Sequence, residues 1–291
     1  MTKKILILGG SSFIGGHFLN RLGNQATGTY NSRKIPGGIK FDAVRQNLSQ
    51  VIKNPQEFTA AVILLGDTHP DSCAKDKKRS ELLNVKSIKE IVRTLNQWQL
   101  PLIFTSTEFV YDGKKGNYTE KEVPRPILTY GKQKVAVEKF IQKICPQHII
   151  VRFGKVYGSE RDDGTLFTDW INQLKTEKSI RVAADQIFSP VYVEDVVRAI
   201  LKLLEKKAWG LYNLGNESGF SRLQLLKMLI SKMNDKQADG VKITACSIDD
   251  FPLLEKRPKN VSLNTNKIRR ITGINIRPVG QVCELIVNKL R

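Results

Sequence analysis

The chain has 291 residues, of which 41% are hydrophobic and 26% charged, and its formal net charge is +19. That composition excludes intrinsic disorder, collagen-like repeats and a coiled coil, and the length is ample to bury a core in one large or two modest domains. Its longest apolar runs, such as 60–65, fall far short of the roughly 18 residues of a membrane span. The apolar run near the start is four residues followed by a Gly/Ser loop rather than a cleavage site, so a soluble, cytoplasmic protein is expected. Cys73, Cys145, Cys246 and Cys283 are isolated, as are His17, His69 and His148. Zinc needs clustered ligands, so reduced thiols and no metal are expected. The positive charge is diffuse. Its densest run, Lys75-Asp76-Lys77-Lys78-Arg79, has no aromatic neighbour, so it reads as a solvated surface that attracts anionic ligands, and nucleic acid is not an expected partner.

Taken in chain order, short apolar runs over 5–8, 26–30, 61–65, 102–105 and 148–153 predict buried strands. Between them 13–22, 80–97 and 130–143 predict helices. In the second of these, Leu82, Leu83, Ile88, Ile91, Val92 and Leu95 form an apolar stripe behind Ser80. Alternating α and β with fully apolar strands predicts an α/β fold with a doubly wound parallel sheet. After about residue 155 the rhythm breaks, with helices expected over 166–175, 193–206, 221–233 and 279–290. The expected division is a Rossmann-type unit over 1–155 and a smaller α/β lobe over 156–291, with chain crossings between the two.

The first strand runs into Gly9-Gly10-Ser11-Ser12-Phe13-Ile14-Gly15 and then a helix. A pyrophosphate needs backbone N–H groups at a helix N-terminus and little bulk in front of them. Gly9 suits the tight turn, Gly15 suits close packing of helix on sheet, and Ser12 is small enough for the middle position and can cap the helix. Gly9, Ser11, Ser12, Phe13 and Ile14 are therefore expected at a dinucleotide. The second strand usually ends in an acidic residue where NAD is bound, yet residues 1–41 contain no Asp or Glu. It ends instead in Asn31-Ser32-Arg33-Lys34, a hydroxyl and two cations suited to a 2′-phosphate, so NADPH is expected ahead of NADH. Asp42, Leu65 and Gly66 complete the expected cofactor set. Asp67, next after Gly66, sets a negative charge near the cofactor's path.

Three Tyr-x-x-x-Lys pairs occur: Tyr30/Lys34, Tyr111/Lys115 and Tyr130/Lys134. The chemistry needs both side chains on one face, which a helix supplies at i and i+4. Tyr30 ends a strand and Tyr111 precedes an Asp-Gly turn, so only Tyr130/Lys134 qualifies. Reduction of a ketone needs a proton for the developing alkoxide. A phenol with its ordinary pKa near 10 gives and takes one poorly at neutral pH unless an ammonium lies beside it. Thr105-Ser106-Thr107 ends an apolar strand upstream, where a hydroxyl can hold the substrate oxygen.

The segment Ser106-Thr107-Glu108-Phe109-Val110-Tyr111-Asp112-Gly113 resembles the Ser-Thr-Asp-Tyr-Val-Phe-Asp-Gly of the dTDP-4-dehydrorhamnose reductase-like branch of the extended short-chain dehydrogenase/reductases. His69 to Cys73 with Asn84-Val85, Pro126 to Lys134 with Glu138, Arg152 to Gly158, Asp185-Gln186 with Ser189-Pro190, and Arg257 to Asn260 resemble further landmarks of that branch, in the same order. The resemblance implies Thr107, Tyr130 and Lys134 as the catalytic set, Tyr130 and Lys134 also touching the cofactor. It implies a nucleotide-linked keto sugar as substrate, met by Thr107, Glu108 and Arg257; apart from the resemblance, a homodimer is one assembly open to the chain. Related 4,6-dehydratases carry Asp-Glu after the catalytic Thr, whereas Glu108-Phe109 stands here, which argues against elimination. The alternatives are an epimerase that retains NAD(P) and a non-catalytic NADP-binding regulatory subunit.

Overall fold

The computed structural model describes residues 3–161, 163–233 and 240–289. Its centre is a seven-stranded parallel sheet. In chain order its first strands are β1 (Lys4–Leu8), β2 (Ala26–Tyr30), β3 (Ile39–Lys40), β4 (Phe58–Ile63), β5 (Leu102–Thr107) and β6 (His148–Phe153). The short strands β7 (Val156–Tyr157), β8 (Ser179–Ala183), β9 (Ile187–Phe188) and β10 (Val191–Tyr192) follow, and then β11 (Gly210–Leu214) returns to the central sheet. The spatial order is β11-β6-β5-β4-β1-β2-β3.

Side chains of successive residues on each strand point to opposite faces, and both faces are apolar. Leu6, Leu8, Ala61, Ile63, Leu102 and Phe104 pack under the helices Ile88–Gln97 and Thr129–Ile144. Ile7, Ala60, Val62, Ile103 and Ile149 pack under Phe13–Leu22 and Val193–Glu205. A third core, with Phe167, Trp170, Leu226, Val282 and Ile286, holds the helices Leu166–Thr176, Arg222–Ile230 and Val279–Lys289 together. Leu290, the expected last residue of that final helix, lies outside the described residues.

The chain leaves β1 for β2 on one side and later fills β4 on the other. The gap between those two connections at the carboxyl edge is the switch point where ligands of doubly wound sheets bind. Some boundaries differ from expectation for identifiable reasons. The strand expected over 61–65 is Phe58–Ile63, so Leu64 and Leu65 belong to the loop at that edge. The helix expected over 80–97 starts at Lys77 and is wound as a π-helix over Leu82–Ser87. There Asn84 is buried, donating to Asp67 O at 2.9 Å and Gln133 Oε1 at 2.8 Å, while its Oδ1 accepts from Asp67 N at 2.7 Å. The wider turn is what presents this side chain to both partners. Cys73, Cys145, Cys246 and Cys283 are all free thiols. Among the described residues no helix is long and apolar enough to cross a membrane.

Candidate active site

The carboxyl edge of β1, β4, β5 and β6 opens on a cavity of about 510 Å³. Ser12, Phe13, Ile14 and Gly66 line one wall, Thr107, Glu108, Tyr130 and Lys134 the middle, and Arg257 the other wall. The sheet edge thus brings together residues far apart in the chain.

On the first wall, Gly9 turns β1 into the helix with φ +96°, a conformation that disfavours any side chain. Its N–H donates to Thr29 Oγ1 at 3.0 Å, which ties the loop to β2. Ser12 caps the helix and accepts from Gly15 N at 3.1 Å. A Cβ on Gly15 would stand 2.2 Å from Gly9 O, so loop and helix backbones touch with no room for a side chain. Arg33 reaches back from the end of β2 and donates to Ser11 O. Asn31, Ser32 and Lys34 flank it at the exposed tip of β2. Leu65 lies beside Gly9, at 3.4 Å from where a Cβ on that glycine would be. Asp42 is committed locally, accepting at Oδ1 from Val44 N at 3.0 Å and Arg45 N at 3.3 Å. Asp67 is likewise engaged locally, its carboxylate accepting from Ser72 Oγ at 2.5 Å and His69 N at 3.0 Å. The wall suits a dinucleotide: a helix N-terminus with backbone donors, a cation above it, and Ser106 Oγ, buried without a partner among the described residues, at the same opening.

In the middle, Thr107 donates to Glu108 Oε2 at 3.0 Å and accepts from Phe109 N at 3.2 Å. Tyr130 and Lys134 share the inner face of the helix Thr129–Ile144, where Tyr130 is 6% and Lys134 4% exposed. Gly131 lets that helix close on the turn after β5, since a Cβ there would stand 2.1 Å from Phe109 O. Lys134 Nζ donates to Thr105 O at 2.9 Å and lies 5.8 Å from the Tyr130 ring centre. Burial pulls Lys134 down to about 8, with Glu138 opposing. Burial, and then the charge of Glu108, push the Tyr130 phenol above its ordinary value. Glu108 itself is pushed up to about 7 by burial. Of the other Tyr/Lys pairs, Tyr111 is a core residue whose OH accepts from Arg152 Nη1 at 2.8 Å, and Lys115 pairs with Glu122.

On the far wall Arg257 is 7% exposed and donates to Asp71 Oδ2 at 2.6 Å and Glu255 O at 2.9 Å. Lys155, Gln186, Phe188 and Arg222 also line this wall, and sequence reasoning did not select them as site residues. Arg222 donates to Gln186 Oε1 at 2.6 Å and lies over the Phe188 ring at 5.7 Å. The available signal was slight: Lys155 lies inside one family-like segment and Arg222 opens an amphipathic helix behind the capping Ser221. Among the described residues no group of three or more His, Cys, Asp or Glu side chains is placed to hold a metal ion.

This fold, with Thr, Tyr and Lys gathered at the switch point, defines an extended short-chain dehydrogenase/reductase. Within that class the chain belongs to the RmlD substrate binding domain family, whose profile matches residues 3–291. It is similar to the dTDP-4-dehydrorhamnose reductase of Aggregatibacter actinomycetemcomitans, with 26% identity over 217 residues, covering 71% of this chain and 73% of that protein. The reductase of the same description from Salmonella typhimurium is 27% identical over 244 residues, covering 81% of this chain and 77% of that protein. The crystal structure of the dTDP-4-dehydrorhamnose reductase of Bacillus anthracis in complex with NADP superposes with a TM-score of 0.85 at 23% identity, covering 99% of this chain and all of that one, a likeness of fold.

Proposed function

We propose that the protein is an NADPH-dependent oxidoreductase that reduces the keto group of a nucleotide-activated sugar. The observation that carries this reading is the placement of Thr107, Tyr130 and Lys134 on one cavity with the phosphate-type loop at its edge. The bound cofactor supplies the hydride. Thr107 Oγ1 holds the substrate oxygen, and Tyr130 gives it the proton. Tyr130 in isolation would hold that proton too tightly, because burial disfavours the phenolate. The Lys134 ammonium offsets this by favouring the phenolate as the proton leaves. Thr105 O fixes that ammonium at one N–H, leaving its other two to reach the cofactor ribose. Gly9, Ser11, Ser12, Phe13 and Ile14 receive the pyrophosphate, and Arg33 with Lys34 receives the 2′-phosphate. Glu108 and Arg257 meet the substrate.

On this reading residues 1–155 are the cofactor unit and 156–291 the substrate lobe, with β11 returning to the shared sheet. The protein works in the cytoplasm, where reduced cofactor and nucleotide sugars meet, and as a homodimer, which sedimentation would read directly. The test is a fluorescence titration with NADPH and NADH, followed by cofactor oxidation with dTDP-4-dehydrorhamnose and its uridine counterpart. Tight NADPH binding, weaker NADH binding and turnover are expected, with Tyr130→Phe lowering kcat by about 10²–10⁴ while leaving NADPH binding intact. Binding without turnover on either sugar would favour the regulatory-subunit alternative, and unchanged turnover in Tyr130→Phe would overturn the assignment of the proton donor.

A further inference from the structure

Among the described residues the cavity carries more positive charge than its lining carboxylates answer. Four cations, Lys134, Lys155, Arg222 and Arg257, face one acidic side chain, Glu108. Lys134 is held at Thr105 O and Arg257 is paired with Asp71. Among the described residues Arg222 contacts the neutral Gln186 and the Phe188 ring. Among the described residues, neither Lys155 nor Arg222 forms an ion pair.

Position separates these cations along the cavity. Phe153, the last residue of β6, is the register partner of Thr107 at the end of β5. Lys155 follows two residues later and its carbonyl accepts from Val191 N at 3.0 Å, which anchors it at the reacting end. Arg257 sits on the segment bound to Asp71 and to Glu255 O, at the outer end. Arg222 stands between, close enough to feel the charges of Glu108 and Arg257, while Lys155 feels the charge of Arg222 and, in the opposite sense, those of Glu108 and Asp169. A nucleotide sugar reduced at Thr107 and Tyr130 must place its sugar ring at the reacting end and its diphosphate further out. Arg257 lies along the diphosphate's course, whereas Lys155 and Arg222 lie toward the ring, beside Glu108. Two neighbouring cations in a confined space repel each other until an anion enters between them. Glu108 supplies little of that charge, because burial holds it partly protonated near neutral pH.

We propose that the sugar of the substrate is acidic, its carboxylate held between Lys155 and Arg222 next to Glu108, apart from the diphosphate. This rests on the nucleotide-sugar reading above and narrows it to nucleotide-linked keto-uronic acids.

The test uses the NADP⁺-loaded protein and calorimetric titration with matched pairs, UDP-glucuronate against UDP-glucose and dTDP-glucuronate against dTDP-glucose. In at least one pair the glucuronate form is expected to bind about tenfold tighter or more. Lys155→Met should abolish that preference while changing the Kd of the glucose form by about twofold or less, and Lys155→Arg should retain it. Thermal melting of both variants confirms that they are folded. Equal Kd values within each pair for the wild type would overturn the proposal and leave the nucleotide-sugar reading standing. Equal weakening of both forms by Lys155→Met would also overturn it and assign Lys155 to the diphosphate. If NADP⁺ binds and no nucleotide sugar of either pair does, the underlying reading fails and the proposal falls with it.

Discussion

The two walls of the cavity are built on different principles. The cofactor wall is backbone: one contiguous stretch from Gly9 to Gly15, closed so tightly that a Cβ on Gly15 would meet Gly9 O at 2.2 Å. The substrate wall is side chains: Lys155, Gln186, Arg222 and Arg257 come from separate segments, with Arg222 hydrogen-bonded to Gln186 and Arg257 ion-paired with Asp71. A backbone wall tolerates no added atoms and offers the same N–H donors whatever the neighbouring side chains are. A side-chain wall can change its ligand by a single substitution. This is the physical reason one fold can keep a cofactor while its substrates diverge.

The helix Thr129–Ile144 stands between the walls, and the largest expected effect comes from loosening it. Arg152, on β6, binds Glu138 of that helix at 2.9 Å through Nε and 2.5 Å through Nη2, with both side chains at most 3% exposed. Its Nη1 donates to Tyr111 OH, which donates in turn to Thr119 O at 2.8 Å. Arg152→Met leaves Glu138 as an uncompensated buried charge and should cost about 3–5 kcal/mol in urea denaturation. Affinity for NADPH and for substrate should fall together, because both walls depend on this helix. A loss confined to one ligand would break the comparison.

A smaller effect should stay on one wall. Gly15→Ala overpacks the loop and should cost about 1–3 kcal/mol of stability. NADPH binding should weaken by about tenfold or more while affinity for a nucleotide-sugar probe hardly changes, since the atoms nearest the added methyl belong to Gly9 and Gly10 of the cofactor wall. Equal weakening of both would show that the walls are not independent.

Legibility follows the same division. The phosphate-type loop and the Tyr130/Lys134 pair could be read from the sequence because each is local: a strand running into a glycine turn, and two residues one helical turn apart. Lys155 and Arg222 could not be read, since their meeting depends on β6, the helix Arg222–Ile230 and the packing of a third core. β11 escaped for a related reason. Its Asn213 is polar in sequence but buried in the fold, where its Nδ2 donates to Tyr118 O at 2.8 Å. The π-wound turn around Asn84 was equally hidden, because its apolar stripe reads as ordinary helix while its cause is a set of long-range hydrogen bonds. Asp67 holds Ser72 and His69 N with its carboxylate, local bonds that its place in the chain did not disclose.

Proton chemistry offers a test that neither wall alone decides. Burial lowers Lys134 to about 8, so the folded protein gives up this proton before the unfolded chain does. Across about pH 8 to 10.5 the unfolded state therefore binds more protons at this site, and its contribution to stability rises with pH. Activity moves the other way, because the ammonium that assists Tyr130 is lost. The kcat profile for reduction should fall as pH rises through about 8, and Lys134→Met should lack that limb and be slow throughout. A wild-type rate that stays flat to pH 10 would remove Lys134 from its assigned role.

The smallest effect sharpens the comparison most, because it concerns the seam where the substrate wall meets the catalytic helix. Glu255, two residues from Arg257, accepts from Thr129 N at 3.2 Å and 3.0 Å and from Thr129 Oγ1 at 2.7 Å. A carboxylate from the outer segment thus caps the helix that presents Tyr130, at the end where the helix dipole favours negative charge. Glu255→Gln keeps an acceptor and loses the charge, so about 1 kcal/mol of stability should go. The same segment carries Arg257, and its Leu254 N–H donates to Asp71 Oδ1 at 3.0 Å. Loosening the cap should therefore raise the KM for the sugar nucleotide by several-fold while the Kd for NADPH stays put. If KM and Kd both hold, the outer segment is positioned by Asp71 alone; if both rise, the helix and not the segment has moved, and the two walls share more than this seam.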